Sequence, residues 1–348
     1  MRASRILALL EREFLAAPEG VHTPVMLWGP PGVGKSQLVA QTAARHGAPV
    51  IDVRLAQMEP TDLRGIPFRD GSSVAWSVPA MLPDAGRHGA RGILFLDEIT
   101  SAPPTVTAAA YQLILDRRLG EYRVPEGWAI VAAGNRQGDR GLAYQMPSPL
   151  ANRFIHFDLD ADLEDWIAWA HTQAIDARLI AFLRFRPDLL FDFDAARASH
   201  AFPSPRSWEF AHRALHKHGS NPDLLAAALK GCVGAGAALA CLTFIDHIDA
   251  LPDVAAIAAG REAQVPGPID LQYAVAAALV RHVARLDLAE RSGALGHVLR
   301  YARRLAQREI GVMLVVDLQS VIGAPLYEQP EFAHWAADVD GLLSYERE

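Results

Sequence analysis

The sequence predicts an α/β domain with a parallel five-stranded sheet covered by helices on both faces, followed by a helical remainder. Three observations predict this fold. Short apolar runs alternate with helical stretches in the first half of the chain, which is typical of buried parallel strands. A glycine-rich loop lies between the first apolar run and the first long helical stretch. Beyond Asp160 strand signals nearly vanish, and Ala, Leu and Arg recur at three- and four-residue spacing, which favours helices.

The predicted strands are short and apolar. They are expected at Val25–Trp28, Pro49–Val53, Ile93–Leu96, Trp128–Ala133 and Phe154–Phe157. Helices are expected at 36–46, directly after the glycine-rich loop, and later at 271–286 and 295–305. The Ala- and Gly-rich segment 231–245 is expected to be one buried helix, since it is shorter than the roughly 20 residues that span a bilayer.

Composition restricts the class of protein. A chain of 348 residues favours two domains, and 51% hydrophobic with 21% charged residues excludes disorder. The net charge of −7 disfavours nucleic acid as a partner, because nucleic-acid-binding proteins are usually basic. Two cysteines, Cys232 and Cys241, are too few for a disulfide framework or a zinc ribbon. Charged residues interrupt the amphipathic N-terminal stretch 1–14, so we expect a cytoplasmic protein with neither signal peptide nor membrane insertion.

The glycine-rich loop fits the pattern G-x-x-x-x-G-K-[ST] and is expected to bind ATP. It consists of Gly29, Pro30, Pro31, Gly32, Val33, Gly34, Lys35 and Ser36, and Gln37 follows as a further expected contact. Glycines allow backbone N–H groups to surround phosphate oxygens, and the helix N-terminus adds partial positive charge. Lys35 is expected to reach the β- and γ-phosphates, and the Ser36 hydroxyl to bind Mg²⁺.

Polar side chains follow two of the predicted strands. Asp97 and Glu98 come directly after Ile93–Leu96, and Asn135 follows the fourth strand. The carboxyl ends of parallel strands meet at one edge of a sheet, beside the phosphate-binding loop. There we expect Asp97 to hold Mg²⁺ through its water shell and Glu98 to polarise the attacking water. Asn135 is expected to hydrogen-bond that water or the γ-phosphate.

These motifs, in this order and spacing, resemble the Walker A, Walker B and sensor 1 elements of AAA+ ATPases. Two further segments strengthen the resemblance. Ser148 to Phe154 is similar to the arginine-finger segment of that family, and Ser204 to Trp208 is similar to its sensor 2 segment. The resemblance implies catalytic roles for Arg153 and Arg206, because a guanidinium can neutralise charge on the transferring phosphoryl group. An ordinary solvated Arg153 and an Arg206 paired with Glu209 are the structural alternatives.

Two segments resemble the MoxR-like, helix-2-insert branch of AAA+ proteins. One is the long segment 55–83, and the other is a predicted hairpin at 117–126, which resembles the pre-sensor hairpin. Asn135-Arg136 departs from the more usual Asn-Pro of MoxR proteins, which places the chain in a neighbouring group. The resemblance implies three parts: an α/β nucleotide-binding domain at 1–159, a helical lid at 160–245 and a helical C-terminal extension at 246–348.

The resemblance implies Mg²⁺-dependent ATP hydrolysis by a hexameric ring that remodels or activates partner proteins, as a chaperone does. MoxR-like proteins work with von Willebrand factor A-domain partners, so such a partner is expected here. Two alternatives stay open: a nucleic-acid-associated or restriction-type NTPase, and a nucleotide-gated scaffold with little turnover. The charge disfavours the first alternative, and Glu98 disfavours the second, because a switch that only binds nucleotide needs no water-polarising acid.

Overall fold

The computed structural model describes residues 1–136, 138–139, 144, 146–194, 200–249, 253–261 and 264–343. The chain divides into two compact units. The first consists of Met1–Asp162 with a short stretch at Asp194, and the second begins at Leu163.

The first unit contains the predicted five-stranded parallel sheet. The strands of this sheet and of two small hairpins are β1 (Val25–Trp28), β2 (Val50–Arg54), β3 (Pro67–Asp70), β4 (Ser73–Trp76), β5 (Arg91–Asp97), β6 (Arg118–Leu119), β7 (Tyr122–Arg123), β8 (Gly127–Gly134) and β9 (Ile155–Asp158). The sheet order is β2-β5-β8-β1-β9, and every neighbouring pair is parallel. The five-stranded sheet is confirmed, with strand ends that differ from prediction by at most two residues.

The strand order brings the predicted site residues to one edge. β5, β8 and β1 are neighbours, and Trp28 at the end of β1 lies opposite Gly134 at the end of β8. Asp97 ends β5. The glycine-rich loop, the acidic pair and Asn135 therefore emerge side by side at the carboxyl edge of the sheet.

Helices cover both faces of this sheet. Those of the first unit are α1 (Ala3–Ala16), α2 (Lys35–Arg45), α3 (Pro60–Arg64), α4 (Ala85–His88), α5 (Pro104–Asp116) and α6 (Ser148–Ala151). α1 and α2 contact each other and the central strands, and α1 buries Ile6, Leu10 and Phe14 at helical spacing. α5 packs on the other face, where its Val106 and Leu113 share a core with Met26 of β1.

The two segments that resembled family-specific insertions form small antiparallel hairpins. Segment 55–83 contains α3 and the hairpin β3–β4, in which Pro67 pairs with Trp76. Segment 117–126 contains the hairpin β6–β7. The Tyr122 hydroxyl of β7 donates a hydrogen bond of 2.7 Å to the carbonyl oxygen of Pro83, so the second hairpin is tied to the end of the first segment.

The second unit is helical. Its helices are α7 (Leu163–Thr172), α8 (Ala177–Phe185), α9 (Pro205–His218), α10 (Pro222–Val233), α11 (Ala235–Asp249), α12 (Val254–Ala258), α13 (Ile269–Arg285), α14 (Leu288–Ala302), α15 (Arg308–Ile322) and α16 (Pro330–Leu343). The helices predicted at 271–286 and 295–305 correspond to α13 and α14. No helix within the described ranges is long and apolar enough to cross a membrane.

The prediction of one helix over 231–245 is wrong. α10 ends at Val233, Gly234 has a φ of 85°, and α11 begins at Ala235. A Cβ on Gly234 would lie 2.9 Å from the carbonyl oxygen of Ala201. The helix breaks there because only glycine combines this left-handed backbone with so close an approach.

Helices from both sides of residue 245 belong to the second unit. Arg184 of α8 and Asp317 of α15 form an ion pair of 2.6 Å between Nη1 and Oδ2. Phe185 of α8 also contacts Tyr273 of α13, with ring centroids 6.0 Å apart. The predicted separation of a lid from an extension at 245/246 stays a prediction, as does the boundary at 159/160.

Candidate functional site

The glycine-rich loop connects β1 to α2 and ends at the N-terminus of this helix. Gly32 and Gly34 have φ values of 84° and 106°, which L side chains rarely adopt. Gly34 is the N-cap of α2, and no side chain from the described part of the chain caps the helix. The first N–H groups of the helix lack partners within it, so this end suits an anion such as phosphate.

The Lys35 ammonium links the loop to the end of β8. Its Nζ donates hydrogen bonds to the carbonyl oxygens of Gly29, at 2.5 Å, and Pro30, at 3.1 Å, and to Oδ1 of Asn135, at 3.0 Å. Lys35 and Asn135 are 100 positions apart in sequence. The structure therefore brings together two of the predicted site residues, and phosphate oxygens can replace the loop carbonyls as acceptors.

Ser36 and Asp97 form an oxygen pair beside the lysine. The Ser36 hydroxyl donates to Oδ2 of Asp97 at 3.2 Å, and Oδ1 of Asp97 accepts from the backbone N–H of Glu98 at 2.8 Å. Hydroxyl and carboxylate oxygens are the ligands that Mg²⁺ prefers. These two residues therefore fit the predicted metal role.

A second acid, Asp52 of β2, adds negative charge near Asp97. Burial raises the pKa of the Asp52 carboxyl, and the charge of Asp97 raises it further, against the opposing effect of Arg54. Sequence reasoning missed this residue. The available signal was a charged side chain inside an apolar strand of a parallel sheet.

Glu98 has a strained backbone and an exposed side chain. Its φ of 56° and ψ of 32° lie in the left-handed region, which costs a residue with a Cβ roughly 1–2 kcal/mol. Strain of this kind concentrates at functional sites. Within the part of the chain that the structure describes, the Glu98 carboxylate forms no hydrogen bond or ion pair, so it is free to act on a ligand.

Thr100 holds the backbone of Asn135, and sequence reasoning missed it. Its Oγ1 accepts the backbone N–H of Asn135 at 3.2 Å and donates to the Asn135 carbonyl oxygen at 3.4 Å. Thr100 is buried, with 4% of its surface exposed. No sequence pattern singles out this threonine, because its partner is 35 positions away.

Comparisons with known proteins match the part of the chain that carries this geometry. Residues 24–154 match the AAA domain, dynein-related subfamily. Protein NorQ of Paracoccus denitrificans is 32% identical, over 39% of this chain and 52% of NorQ. Protein CbbQ of Hydrogenophilus thermoluteolus is 36% identical, over 48% of this chain and 65% of CbbQ. The denitrification regulatory protein NirQ of Stutzerimonas stutzeri is 30% identical, over 45% of this chain and 60% of NirQ.

Residues 24–154 therefore carry an AAA domain, and the chain is similar to MoxR-like AAA+ ATPases. The resemblance inferred from its motifs is thus confirmed. The matches span between 52% and 65% of the length of these relatives.

Arg136 stands where MoxR-like proteins more often have proline, and here it has a defined role in packing. Its Nε lies 2.8 Å from Oδ1 of Asp158, and its Nη2 lies 2.9 Å from Oδ1 of Asp160. Asp160 also pairs with the Met1 ammonium at 2.8 Å. These ion pairs tie the chain after β8 to the end of β9, a link that proline cannot form.

Arg153 of this AAA+ domain is exposed between two buried anchors. Leu150 of α6 and Phe154 are buried, and the Arg153 N–H donates to the Leu150 carbonyl oxygen at 3.0 Å. The Arg153 side chain forms no ion pair or hydrogen bond within the described ranges. Its backbone is therefore fixed while its guanidinium stays available, as an arginine finger requires.

Arg206 lies in the second unit, in the first turn of α9. A capping box between Ser204 and Ser207 fixes this turn, with Pro205 as the first helical residue. Arg206 itself is exposed. Glu209, the structural alternative as a partner of Arg206, pairs with Arg213. The Arg206 side chain thus projects from a rigid turn, which suits the predicted sensor 2 role.

Proposed function

We propose that this protein binds ATP with Mg²⁺ and hydrolyses it, as an oligomer that remodels or activates partner proteins. The observation that carries this proposal is the convergence of Lys35, Asn135, Ser36 and Asp97 in two connected hydrogen-bonded pairs at one sheet edge. Ammonium, amide, hydroxyl and carboxylate are the groups that phosphoryl transfer needs around a nucleotide.

Each group has a distinct task in this proposal. The backbone N–H groups of Gly32 and Gly34 and the Lys35 ammonium hold the phosphates, with Gln37 in the first turn of α2 beside them. Ser36 and Asp97 hold Mg²⁺, which when bound neutralises charge on the β- and γ-phosphates. Glu98 accepts a proton from the attacking water, and the Asn135 amide orients that water.

Oligomer formation is supported by the exposed guanidinium of Arg153, which has no ion pair or hydrogen bond to any residue that the structure describes. A fixed backbone and such a side chain suit an arginine that acts in the site of a neighbouring subunit. We infer a homo-oligomeric ring, of six subunits by analogy with MoxR-like proteins. NirQ is named as a regulatory protein, which supports a regulatory action on a partner; a von Willebrand factor A-domain protein is the partner class that the family implies.

Substitutions at Lys35 and Glu98 test the proposal by separating nucleotide binding from hydrolysis. Lys35→Ala is expected to lower ATP affinity by about 100-fold or more, because the ammonium contacts phosphate in both ground and transition states. Glu98→Gln is expected to bind ATP as the parent does but to lose at least about 100-fold in kcat. Titration with a fluorescent ATP analogue and steady-state phosphate release measure the two quantities.

Matched controls exist for both substitutions. The chain has two other lysines, Lys217 and Lys230, and Lys217→Ala should leave affinity and kcat unchanged, as should Glu19→Gln. Parental turnover in Glu98→Gln would refute the role of this acid. Turnover stimulated by duplex DNA at low salt would favour the nucleic-acid alternative. Tight ATP binding without turnover by the parent would favour the nucleotide-gated scaffold.

A further inference from the structure

The side chain of Thr100 connects the two strand ends that carry Glu98 and Asn135. Its one hydroxyl both accepts from the Asn135 N–H, at 3.2 Å, and donates to the Asn135 carbonyl oxygen, at 3.4 Å. Thr100 is buried and the two hydrogen bonds are partly buried, so they are partly shielded from competing water. The hydroxyl therefore fixes the backbone from which the Asn135 amide projects.

The same threonine is fixed relative to Glu98. Thr100 lies in the 3-10 turn Ile99–Ser101, which begins immediately after the left-handed Glu98. The Ser101 N–H donates to the Glu98 carbonyl oxygen at 2.9 Å and closes this turn. The strained backbone of Glu98 thus reverses the chain so that Thr100 returns beneath the end of β8.

Gly134 provides the space that this contact occupies. A Cβ on Gly134 would lie 2.7 Å from Cγ2 and 2.8 Å from Oγ1 of Thr100, and 2.9 Å from Cε of Met26. Such distances are shorter than real contacts of a Cβ, so any larger residue would displace Thr100. The absence of a side chain at Gly134 therefore has a local purpose: it lets the threonine reach the next residue.

We propose that Thr100 is a positioning residue that holds the water-polarising Glu98 and the sensor Asn135 in one rigid geometry. The role rests on the proposed ATP hydrolysis. Asn135 extends the link to Lys35 through the 3.0 Å bond from Nζ to Oδ1. The Thr100 hydroxyl thereby connects the segment that carries the acid to the residue that carries the amide, and the amide in turn contacts the ammonium at the start of α2.

Thr100→Val and Thr100→Ser separate the hydroxyl from the bulk of the side chain. Valine preserves the shape but removes the hydroxyl, and this loss leaves the partly buried Asn135 N–H without its hydrogen-bond acceptor. We expect Thr100→Val to lower kcat about 10- to 100-fold, because small displacements of catalytic groups have effects of this size, with KM for ATP within about twofold of the parent. Thr100→Ser keeps the hydroxyl and should recover most of kcat.

Two further arms exclude a general structural effect. Thr42 is also buried, and its hydroxyl bonds the Leu38 carbonyl oxygen inside α2; Thr42→Val should leave kcat at the parental level. Because Thr100 acts through Asn135, Thr100→Val should lower kcat little further when placed in an Asn135→Ala background. Hydrogen exchange of the Asn135 amide should be faster in Thr100→Val and unchanged in Thr100→Ser.

The outcomes distinguish this role from the proposed function. A parent without turnover would overturn both together. Parental kcat in Thr100→Val, or equal loss in Thr100→Val and Thr100→Ser, would overturn the positioning role alone. Additive losses in the double variant would also overturn it, since they would show that Thr100 does not act through Asn135.

Discussion

We compare two clusters of charged and polar side chains, one in each unit of this protein. The two clusters differ in how many of their side chains have a hydrogen-bond or ion-pair partner. At the sheet edge of the first unit, Lys35 and Asp97 have partners, but Glu98 is exposed without one among the described residues. In the second unit, Asp317 lies between Arg184, at 2.6 Å, and His171, at 3.1 Å. The Asp317 and Arg184 side chains are only 9% and 8% exposed.

The difference distinguishes polar groups that stabilise the fold from polar groups that can act on a ligand. Asp317 is nearly inaccessible to solvent, and each of its carboxylate oxygens already has a partner, His171 or Arg184. Its role is therefore structural: it joins α7, α8 and α15. At the sheet edge, the Glu98 carboxylate has no partner among the described residues, and the Glu98 backbone is strained. We infer function from residues such as Glu98, whose backbone is fixed but whose side chain has no partner among the described residues.

The largest effect is expected from Arg153→Ala, which tests whether the open site is completed by a second subunit. ATP affinity should stay near the parental value while turnover falls by about 10³–10⁵, because a finger stabilises charge that develops in the transition state. Phosphate release and nucleotide titration measure the two effects.

Mixing Arg153→Ala with Glu98→Gln sharpens this test. In a mixed ring, some interfaces pair an intact Glu98 with an intact Arg153 of the neighbour, so activity should partly return. If confirmed co-assembly gave no rescue, Arg153 would act within its own subunit, and the inference of a shared site would fail.

Asp317→Ala is expected to produce the next largest effect, on stability of the second unit. Removing one member of a buried ion pair leaves the others uncompensated and typically costs about 3–5 kcal/mol. Hydrogen exchange of the α15 amides, measured as a function of urea concentration, gives this loss in the free energy of unfolding. Asp188→Ala is the matched control, because the Asp188–Arg186 pair is exposed and should contribute at most about 1 kcal/mol. Equal losses in the two variants would break the distinction between a sealed and an open pair.

Arg206→Ala is expected to have a smaller and selective effect. If Arg206 senses the γ-phosphate, its loss should weaken ATP binding by about tenfold and ADP binding hardly at all. Arg213→Ala, on the same helix, controls for loss of a positive charge. Equal changes in ATP and ADP affinity, with an unaltered ATP-induced protease pattern, would remove the sensor 2 role from Arg206.

The remaining prediction concerns the pH dependence of stability and His22, an imidazole of the first unit whose side chain is 2% exposed. Its Nε2 accepts the backbone N–H of Ile130 at 2.8 Å, and burial, with a smaller contribution from Arg117, lowers its pKa to about 4. The unfolded chain, with a histidine pKa near 6.5, therefore takes up the proton first. The free energy of unfolding should fall by roughly 2 kcal/mol as pH decreases from 6.5 to 4.

His22→Gln isolates this contribution. Glutamine retains an acceptor for the Ile130 N–H but does not titrate in this range. Urea titrations at pH 4 to 7 should show a shallower dependence on pH in the variant than in the parent. Identical slopes would mean that the imidazole is not the titrating group.

Local patterns account for most of what could be predicted about the fold. A buried parallel strand is an apolar run in the sequence, and the phosphate-binding loop is a contiguous pattern. The five strands and the start of α2 could therefore be predicted from the sequence. The helix break at Gly234 could not be predicted from the sequence. It depends on the close approach of Ala201, which is a contact between positions distant in sequence. The hairpin β3–β4 in segment 55–83 was also missed, since its strands are short and exposed on both faces.

The sequence by itself determined which residues are candidates for the chemistry of the proposed site: Lys35, Ser36, Asp97, Glu98 and Asn135 all follow from motif and strand-end position. Only the tertiary structure decided how they are held. Thr100 forms a hydrogen bond to Asn135, which is 35 positions away in sequence. Arg136 forms hydrogen bonds to Asp158 and Asp160, which are 22 and 24 positions away. The physical reason is that motif and periodicity report local backbone and burial. The partner in a hydrogen bond between distant positions depends instead on which strands become neighbours and in which register, and the order β2-β5-β8-β1-β9 exists only after folding.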